Sequence, residues 1–290
     1  MVTIRRQPAV AGSFYPDNKQ QLSAEIEDYL SQTPLSRHVP KVLIVPHAGY
    51  YYSGRVAGQG YCHLKNIAGN IAKKINRVIL LGPSHKVALH GCAVPSCDEF
   101  STSLGSITID KKACQNLTTK NLAQYNDLSH QWEHSLEVQL PFLQKCLAAF
   151  TLIPVVVGDC QPSKVKQLLN ALLNEKDQKN ISSTLIVIST DLSHYHQYDR
   201  AQMIDGNTID RILALQSNIE AECACGCHAL NGLLSLAAEK SWQVRLISKT
   251  NSGDVSGDKS RVVGYASFIL YQTDQSFNSI GINIEPFQDE

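Results

Sequence analysis

The segment TLIVISTDLSH, residues 184–194, carries the pattern that decides the fold. Its first part, Thr184–Ser189, is almost continuously apolar and rich in β-branched residues, which is typical of a strand buried on both faces of a sheet. The chain then becomes polar and presents Asp191 and His194 directly after the strand. A buried strand that ends in polar side chains indicates an α/β fold with its ligand site at the edge of the sheet.

Two other predicted strands end in the same way. Lys41–Val45 runs into PHAGY, which contains His47, and Arg77–Leu81 runs into GPSH, which contains His85. Ligands of open α/β sheets bind outside the carboxyl ends of the strands. Histidine is both the commonest metal ligand and the usual general base near neutral pH. Three distant segments that each place a histidine at this edge therefore predict a shared metal or catalytic pocket.

The rest of the chain alternates between short apolar runs and longer segments of helical period. Further strands are predicted at Leu152–Val157, Trp242–Ser248 and Val262–Tyr271. Helices are predicted at Gly54–Asn66, Ser135–Phe150, Pro162–Asn174, Ala201–Gln216 and Cys227–Lys240. This alternation indicates one α/β domain over residues 1–290, with a central, mostly parallel or mixed sheet flanked by helices. We expect its core at about residues 6–271, with a peripheral N-terminus and a peripheral tail from about Ser279.

The composition excludes several classes of protein. Of 290 residues, 43% are hydrophobic and 18% are charged, which is the balance of a globular chain rather than a disordered one. The 26 basic residues equal the 26 acidic ones, so there is no global field for nucleic acid or an acidic membrane. The apolar runs are shorter than the ~20 residues of a membrane span, and no apolar signal segment follows Met1. We expect a cytoplasmic protein that binds neither nucleic acid nor membrane.

Nine cysteines at irregular spacing argue against a disulfide framework, because the number is odd. The cluster CACGCH, residues 223–228, differs from the rest because it begins a segment of helical period. A thiol near a helix N-terminus is a better metal ligand or nucleophile than an average one. The cluster holds either one functional cysteine that joins the histidines or three inert buried thiols, and spacing alone leaves both open.

Two carboxylates lie near the predicted site histidines. In WEHSLEVQLP, residues 132–141, His134 and Glu137 are one helical turn apart. This spacing suits a supporting carboxylate–histidine pair at the pocket wall, although a helix start with local charge pairs is favoured. Asp191 either orients an imidazole, as carboxylates around metal sites do, or caps a following helix. Both alternatives stay open.

Six short motifs resemble the signatures of the MEMO family, whose prokaryotic members are called AmmeMemoRadiSam system protein B. The motifs are PHAGY at 46–50 with Tyr52 and Gly54 behind it, GPSH at 82–85, EHSLE at 133–137 with Leu140-Pro141 after it, IPV at 153–155 with VG at 157–158, STDLSH at 189–194, and CG at 225–226. Their order and spacing agree from about Arg6 to Tyr271. The chain is therefore similar to this family over most of its length.

The resemblance implies a fold similar to that of the LigB-type class III extradiol dioxygenases, which hold non-haem Fe(II) with two histidines and a carboxylate. By this resemblance His47 and His85 stand where the two iron-binding histidines stand, and Cys225 stands where the ligating glutamate stands. His194 matches the acid/base histidine, with Asp191 beside it. A thiolate in place of a carboxylate makes the site softer, so iron(II) is the first expectation and copper and zinc are the alternatives.

Three functions are compatible with these expectations. The first is a metal-dependent oxidoreductase, in which the predicted ligands hold iron or copper and the acid/base histidine moves protons. The second is a binding module without chemistry, in which a pocket lined by Tyr50, Tyr51 and Tyr52 captures a small molecule or a peptide. The third is a zinc hydrolase that uses the same ligands. The family name also implies radical-SAM and AMMECR-type partners.

Overall fold

The computed structural model describes residues 2–32, 38, 40–65, 75–174 and 183–272, and its centre is a nine-stranded mixed sheet. The strands are β1 Arg5–Arg6, β2 Val42–Val45, β3 Arg77–Pro83, β4 Cys92–Val94, β5 Glu99–Thr102, β6 Gly105–Thr108, β7 Gln124–Tyr125, β8 Thr151–Val157, β9 Thr184–Ser189, β10 His194–His196, β11 Gln243–Asn251 and β12 Val262–Tyr271. The sheet has the order β10-β12-β2-β9-β3-β8-β4-β7, with β11 paired to β12. The six strands predicted from the sequence are present, so the predicted α/β class with a mixed sheet is confirmed.

The middle of the sheet is parallel. β2 pairs with β9, β9 with β3, and β3 with β8. Apart from Thr151, every residue of these strands is buried, as expected for parallel strands covered by helices on both faces. Parallel strands direct their carboxyl ends to one edge, so the loops that follow β2, β3 and β9 meet there.

Helices flank this sheet. They are α1 Lys19–Tyr29, α2 Tyr50–Lys65, α3 Lys111–Thr119, α4 Asp127–Gln131, α5 Leu140–Cys146, α6 Pro162–Leu173, α7 Tyr198–Leu213, α8 Cys227–Glu239 and α9 Ser252–Ser256, with a 3-10 helix at Glu137–Gln139. The predictions for α2, α6, α7 and α8 are confirmed with shifted ends, and the predicted end of α2 at Asn66 lies outside the described residues. Among the helices of the described residues, none is long and apolar enough to cross a lipid bilayer.

The predicted helix Ser135–Phe150 is wrong in its bounds. Regular helix begins only with α5, which has Pro141 in its first turn. Proline lacks the N–H group that a helix interior needs, so it fits the first turn and not the middle of a longer helix. Before α5 lie the 3-10 helix at Glu137–Gln139 and, ahead of it, a loop that carries Glu133 and His134 to the edge of the sheet.

The N-terminal segment, expected to be peripheral, is mostly exposed or half-buried, but Arg6 and Tyr15 anchor it to the domain. Arg6 is buried and forms an ion pair with the fully buried carboxylate of Glu137. The same carboxylate accepts hydrogen bonds from the N–H groups of Ala9 and Val10 and from the hydroxyl of Tyr15. Glu137 therefore holds the N-terminal segment against the domain, a contact that the turn-rich sequence of this segment does not indicate.

Two further expectations concern the cysteines and the C-terminal tail. All nine cysteines are unpaired in the structure, which agrees with the prediction that they form no disulfide framework. The predicted C-terminal tail from about Ser279 lies outside the described residues.

Replacing Arg6 with Met should lower the free energy of unfolding by about 3–5 kcal/mol, because Glu137 would keep an unpaired charge in the interior. Urea unfolding followed by circular dichroism measures this quantity. The matched control is Arg5→Met, since Arg5 pairs with Glu99 at 2.6 Å on the surface, where an ion pair contributes less than about 1 kcal/mol. Equal losses in the two variants would contradict the importance of the buried pair.

Candidate metal centre

A cavity of about 840 Å³ opens where the loops after β2, β3 and β9 meet. The loops contribute His47, His85 and Asp191 to its lining, and β10 contributes His194. Cys225, two residues before the start of α8, also lines the cavity. The structure therefore brings together these five of the residues that the sequence predicts for one site.

His47 is buried and its ring is fixed through Nδ1. The Oγ atom of Ser189 donates its one proton to the carbonyl of Ser135 at 2.5 Å, so it must accept the Nδ1–H of His47, which lies 3.0 Å away. This leaves the Nε2 lone pair of His47 for the cavity. Burial, with a further contribution from the neighbouring His85, lowers the pKa of His47 to about 3, so the ring is a neutral donor at pH 7.

His85 is held by the carboxylate of Glu133. The backbone N–H of His85 donates to one carboxylate oxygen at 2.5 Å, and Nδ1–H donates to the other at 3.0 Å. The N–H groups of His134 and Ser135 donate to the same carboxylate at 2.9 Å each. Burial raises the pKa of Glu133, but the hydrogen bonds and charge of His85 outweigh it and bring the pKa to about 2. A carboxylate on Nδ1 leaves Nε2 available to a metal ion, the arrangement that ligating histidines have in many metal sites.

His134 forms a third imidazole beside these two. Ligand atoms of His47, His85 and His134 lie within 4.8 Å of one another, so the three could hold a metal ion. The rings of His85 and His134 are stacked, with 4.7 Å between centroids and 20° between planes, whereas His47 is inclined to both, at 71° to His85 and 84° to His134. The ring of His47 can therefore share an ion with either neighbour. The carboxylate of Glu133 on Nδ1 of His85 favours His85 as the partner of His47, with His134 adjacent.

The sulfur of Cys225 lies next to the cavity-facing nitrogen of His47. Its Sγ atom is 3.3 Å from Nε2 of His47 and accepts the N–H of Asp191 at 3.3 Å. The close approach depends on Gly226, because a Cβ atom there would lie 2.7 Å from the Cβ of Thr190. Burial, with the charge of Asp191, raises the pKa of the Cys225 thiol.

The donor chemistry of the site fits a transition-metal ion. Zinc binds an imidazole nitrogen at about 2.0–2.1 Å and a thiolate at about 2.3 Å. When the angle between these two bonds lies between a right angle and the tetrahedral angle, the nitrogen and the sulfur are about 3.1–3.6 Å apart. The observed separation of 3.3 Å between His47 Nε2 and Cys225 Sγ lies in this range. Burial also raises the pKa of Asp191. A cation bound here would favour the ionised forms of this carboxyl group and of the thiol, which burial alone disfavours.

Asp191 and His194 occupy different parts of the cavity wall. The carboxylate of Asp191 accepts the backbone N–H of His47 at 2.7 Å and thus orients the loop after β2, and no helix follows it directly. His194 is half-buried on β10 and lines the cavity. The preceding residue, Ser193, donates its N–H to the carboxylate of Asp205 at 3.0 Å, which fixes the strand that presents His194.

Four residues predicted at the pocket wall lie elsewhere. Tyr50 is buried in the core, where its hydroxyl donates to the carbonyl of Val138 at 2.7 Å and its ring packs against other aromatic rings. Tyr51 and Tyr52 are exposed, and neither is among the residues that line the cavity. Glu137 faces the N-terminal segment instead of His134. The predicted pocket tyrosines and the His134–Glu137 pair are therefore corrected by the structure.

Sequence reasoning missed two residues that shape the site. Glu133, rather than Glu137, is the carboxylate that orients a site histidine, and its position directly before His134 in the quoted motif could have indicated this. Phe14 lines the cavity and contacts the ring of His134 with 4.8 Å between centroids. It reaches the site because Glu137 holds the N-terminal segment, and no local pattern in the sequence signals that contact.

Comparison with known sequences gives one family. A family described as Memo-like protein matches residues 6–269. A MEMO1 family protein of Methanobrevibacter smithii is 35% identical over 91% of this chain and 99% of its own length, and one of Thermoplasma volcanium is 34% identical over 91% and 97%. The solved structure of an uncharacterized Escherichia coli K12 protein has a TM-score of 0.46 and 10% identity over 79% of this chain and 98% of its own.

Replacing Glu133 with Gln should weaken binding of a probe ion such as Zn²⁺ by about 10–100-fold, the usual effect of removing a carboxylate that orients a ligating histidine. Competition with a chromophoric chelator measures the affinity. Glu222→Gln is the matched control, because Glu222 is an exposed carboxylate on the wall of the same cavity, and its affinity should stay within about twofold of wild type. An unchanged affinity in Glu133→Gln would contradict this role.

Proposed function

The chain belongs to the Memo family, and from this premise we propose that it is a metal-dependent oxidoreductase. In this proposal His47, His85 and Cys225 hold one transition-metal ion at the floor of the cavity. The observation that carries the proposal is the convergence of the His47 Nε2 atom and the Cys225 sulfur, which lie 3.3 Å apart in a part-buried site.

Iron(II) is the metal we propose, with copper as the alternative. The resemblance to the MEMO family, whose fold is similar to that of the non-haem iron dioxygenases, favours iron. A thiolate beside two imidazoles also suits copper(I) and zinc, since soft ligands favour these ions. The metal, when bound, would supply the redox chemistry and activate oxygen or substrate.

The chain's own residues then have distinct tasks. Glu133 and Ser189 orient the two histidines and fix their tautomers, while Asp191 positions the loop after β2. His194 lines the cavity but is not one of the three proposed metal ligands. We therefore assign it the transfer of protons to and from the reacting molecule. Metal retention and proton transfer thus depend on different residues, so each can be tested by its own substitution.

The cavity suits a small organic molecule or the side chain of a peptide. Its volume of about 840 Å³ lies within the range of small-molecule sites, about 300–1,000 Å³. Phe14 and Tyr265 provide apolar wall, and the histidines provide polar contacts. The radical-SAM and AMMECR-type partners and the cytoplasmic location stay predictions from the sequence.

Metal binding is tested with chain that is stripped with a chelator, loaded anaerobically with Fe²⁺, Cu⁺ or Zn²⁺, desalted and analysed for metal per chain. We expect about one iron or copper ion per wild-type chain and loss of most of it in His85→Ala, since a direct ligand is removed. His90→Ala is the matched control, because His90 lies in the same segment with 91% of its side chain exposed.

The other outcomes of this experiment contradict the proposal in different ways. Retention of zinc alone, with no response to oxygen or reductant, would indicate a zinc hydrolase. Failure of the wild-type chain to retain any of the three ions would leave the metal-free binding module as the better account.

Replacing His194 with Ala should slow oxygen uptake by the iron-loaded chain about 100-fold, the usual size of a general acid–base contribution. Ascorbate supplies the electrons, and reduction of oxygen consumes protons that His194 would deliver; an oxygen electrode measures the rate. The metal content should not change. His196→Ala is the control on the same strand and cavity wall, and equal slowing in both variants would argue against a proton carrier at position 194.

A further inference from the structure

Cys92 and Cys160 form a pair of thiols that the candidate metal centre does not use. Their sulfur atoms lie 3.8 Å apart. Cys92 is the first residue of β4, and Cys160 follows the end of β8. Both side chains are almost fully buried, so this contact is part of the packed domain and not a chance approach of two surface groups.

The backbone already holds the two cysteines together. The N–H of Gly91 donates to the carbonyl of Asp159 at 2.8 Å, and the N–H of Gly158 donates to the carbonyl of Gly91 at 2.9 Å. Gly91 and Asp159 directly precede the two cysteines in the chain. Shortening the sulfur–sulfur distance from 3.8 Å to the roughly 2.05 Å of a disulfide therefore requires side-chain movement and not a change of fold.

The two thiols are not equivalent. The hydrogen bond between the two thiols lowers the pKa of Cys160, and the ammonium group of Lys164 adds to this effect against burial. Cys160 also lies just before α6, whose N-terminus favours a thiolate. The same hydrogen bond and burial raise the pKa of Cys92. Cys160 is therefore the better nucleophile, and Cys92 is placed to react with it afterwards.

We propose that Cys92 and Cys160 are a peroxide-reactive dithiol that closes to a disulfide. The Cys160 thiolate attacks hydrogen peroxide, so that an S–O bond forms, the O–O bond breaks, and the hydroxide that leaves takes up a proton to become water. The Cys92 sulfur then attacks the sulfenic acid at Cys160, so that the S–S bond forms and the S–O bond breaks. The second hydroxide leaves as water with the Cys92 proton. Two thiols lose two electrons, and one peroxide becomes two waters.

This thiol pair adjoins the segments that carry the metal-centre residues. The N–H of Ser84, the neighbour of His85, donates to the carbonyl of Val157 at 3.2 Å. The Nδ1–H of His228, in the first turn of α8, donates to the carbonyl of Cys160 at 3.0 Å. The disulfide would thus form between segments that support the His85 and Cys225 sides of the cavity. Its formation does not depend on a bound metal.

The test uses the full chain after treatment with a chelator, so that bound metal contributes nothing to the oxidation. The protein is exposed to hydrogen peroxide under native conditions, free thiols are alkylated, and the digest is analysed by mass spectrometry. We expect a cross-linked peptide pair that contains Cys92 and Cys160 and that dithiothreitol removes. Cys160 should react at least about tenfold faster than Cys114, a buried thiol of α3.

Single variants test the order of the steps. In Cys92→Ala the cross-link should be lost, and dimedone should trap a sulfenic acid at Cys160. In Cys160→Ala, Cys92 should remain a free thiol. Cys114→Ala is the control and should keep the cross-link, and thermal melting confirms that each variant is folded. The proposal is overturned if peroxide leaves Cys92 and Cys160 of the wild-type chain fully alkylated, or if the cross-link forms only after denaturation.

Discussion

The parallel pairing of β2, β9 and β3 is the constraint on which the rest of the structure depends. Val45 lies opposite Ser189, and Leu81 lies opposite Ile188, so these strands end at nearly the same level. The loops that follow must meet, although the loop after β9 lies more than a hundred residues along the chain from the other two. A cavity at this edge is therefore a direct consequence of strand register, and its chemistry is decided by the few residues after each strand.

Two buried carboxylates convert these irregular loops into a defined site. A buried charge without partners is costly, and here each carboxylate is satisfied by several donors. Glu133 binds the loop of His85 and its own loop, while Glu137, four residues later, binds Arg6 and the N-terminal segment. One short stretch before α5 thus fixes both a candidate metal ligand, His85, and the segment that brings Phe14 to the cavity.

The sequence predicts the parts of this architecture that have strong local patterns. Buried strands such as Thr184–Ser189 and the polar residues after them are visible because each strand is a continuous apolar run. The short strands β4–β7 and helix α1 were not predicted, since their stability comes from tertiary contacts and not from a pattern of their own. For the same reason Tyr50 was predicted at the pocket: its place in the sequence beside His47 does not reveal that α2 begins there and turns its ring into the core.

The central claim is that Cys225 and two histidines hold one metal ion, and X-ray absorption spectroscopy of chain loaded with Zn²⁺ as a probe ion tests it most directly. The account predicts imidazole nitrogen scatterers at about 2.0–2.1 Å and one sulfur scatterer at about 2.3 Å. The sulfur contribution should vanish in Cys225→Ser and persist in Cys223→Ser, which removes a neighbouring thiol of the same cluster. A wild-type spectrum without sulfur, or one that keeps its sulfur in Cys225→Ser, would contradict the claim.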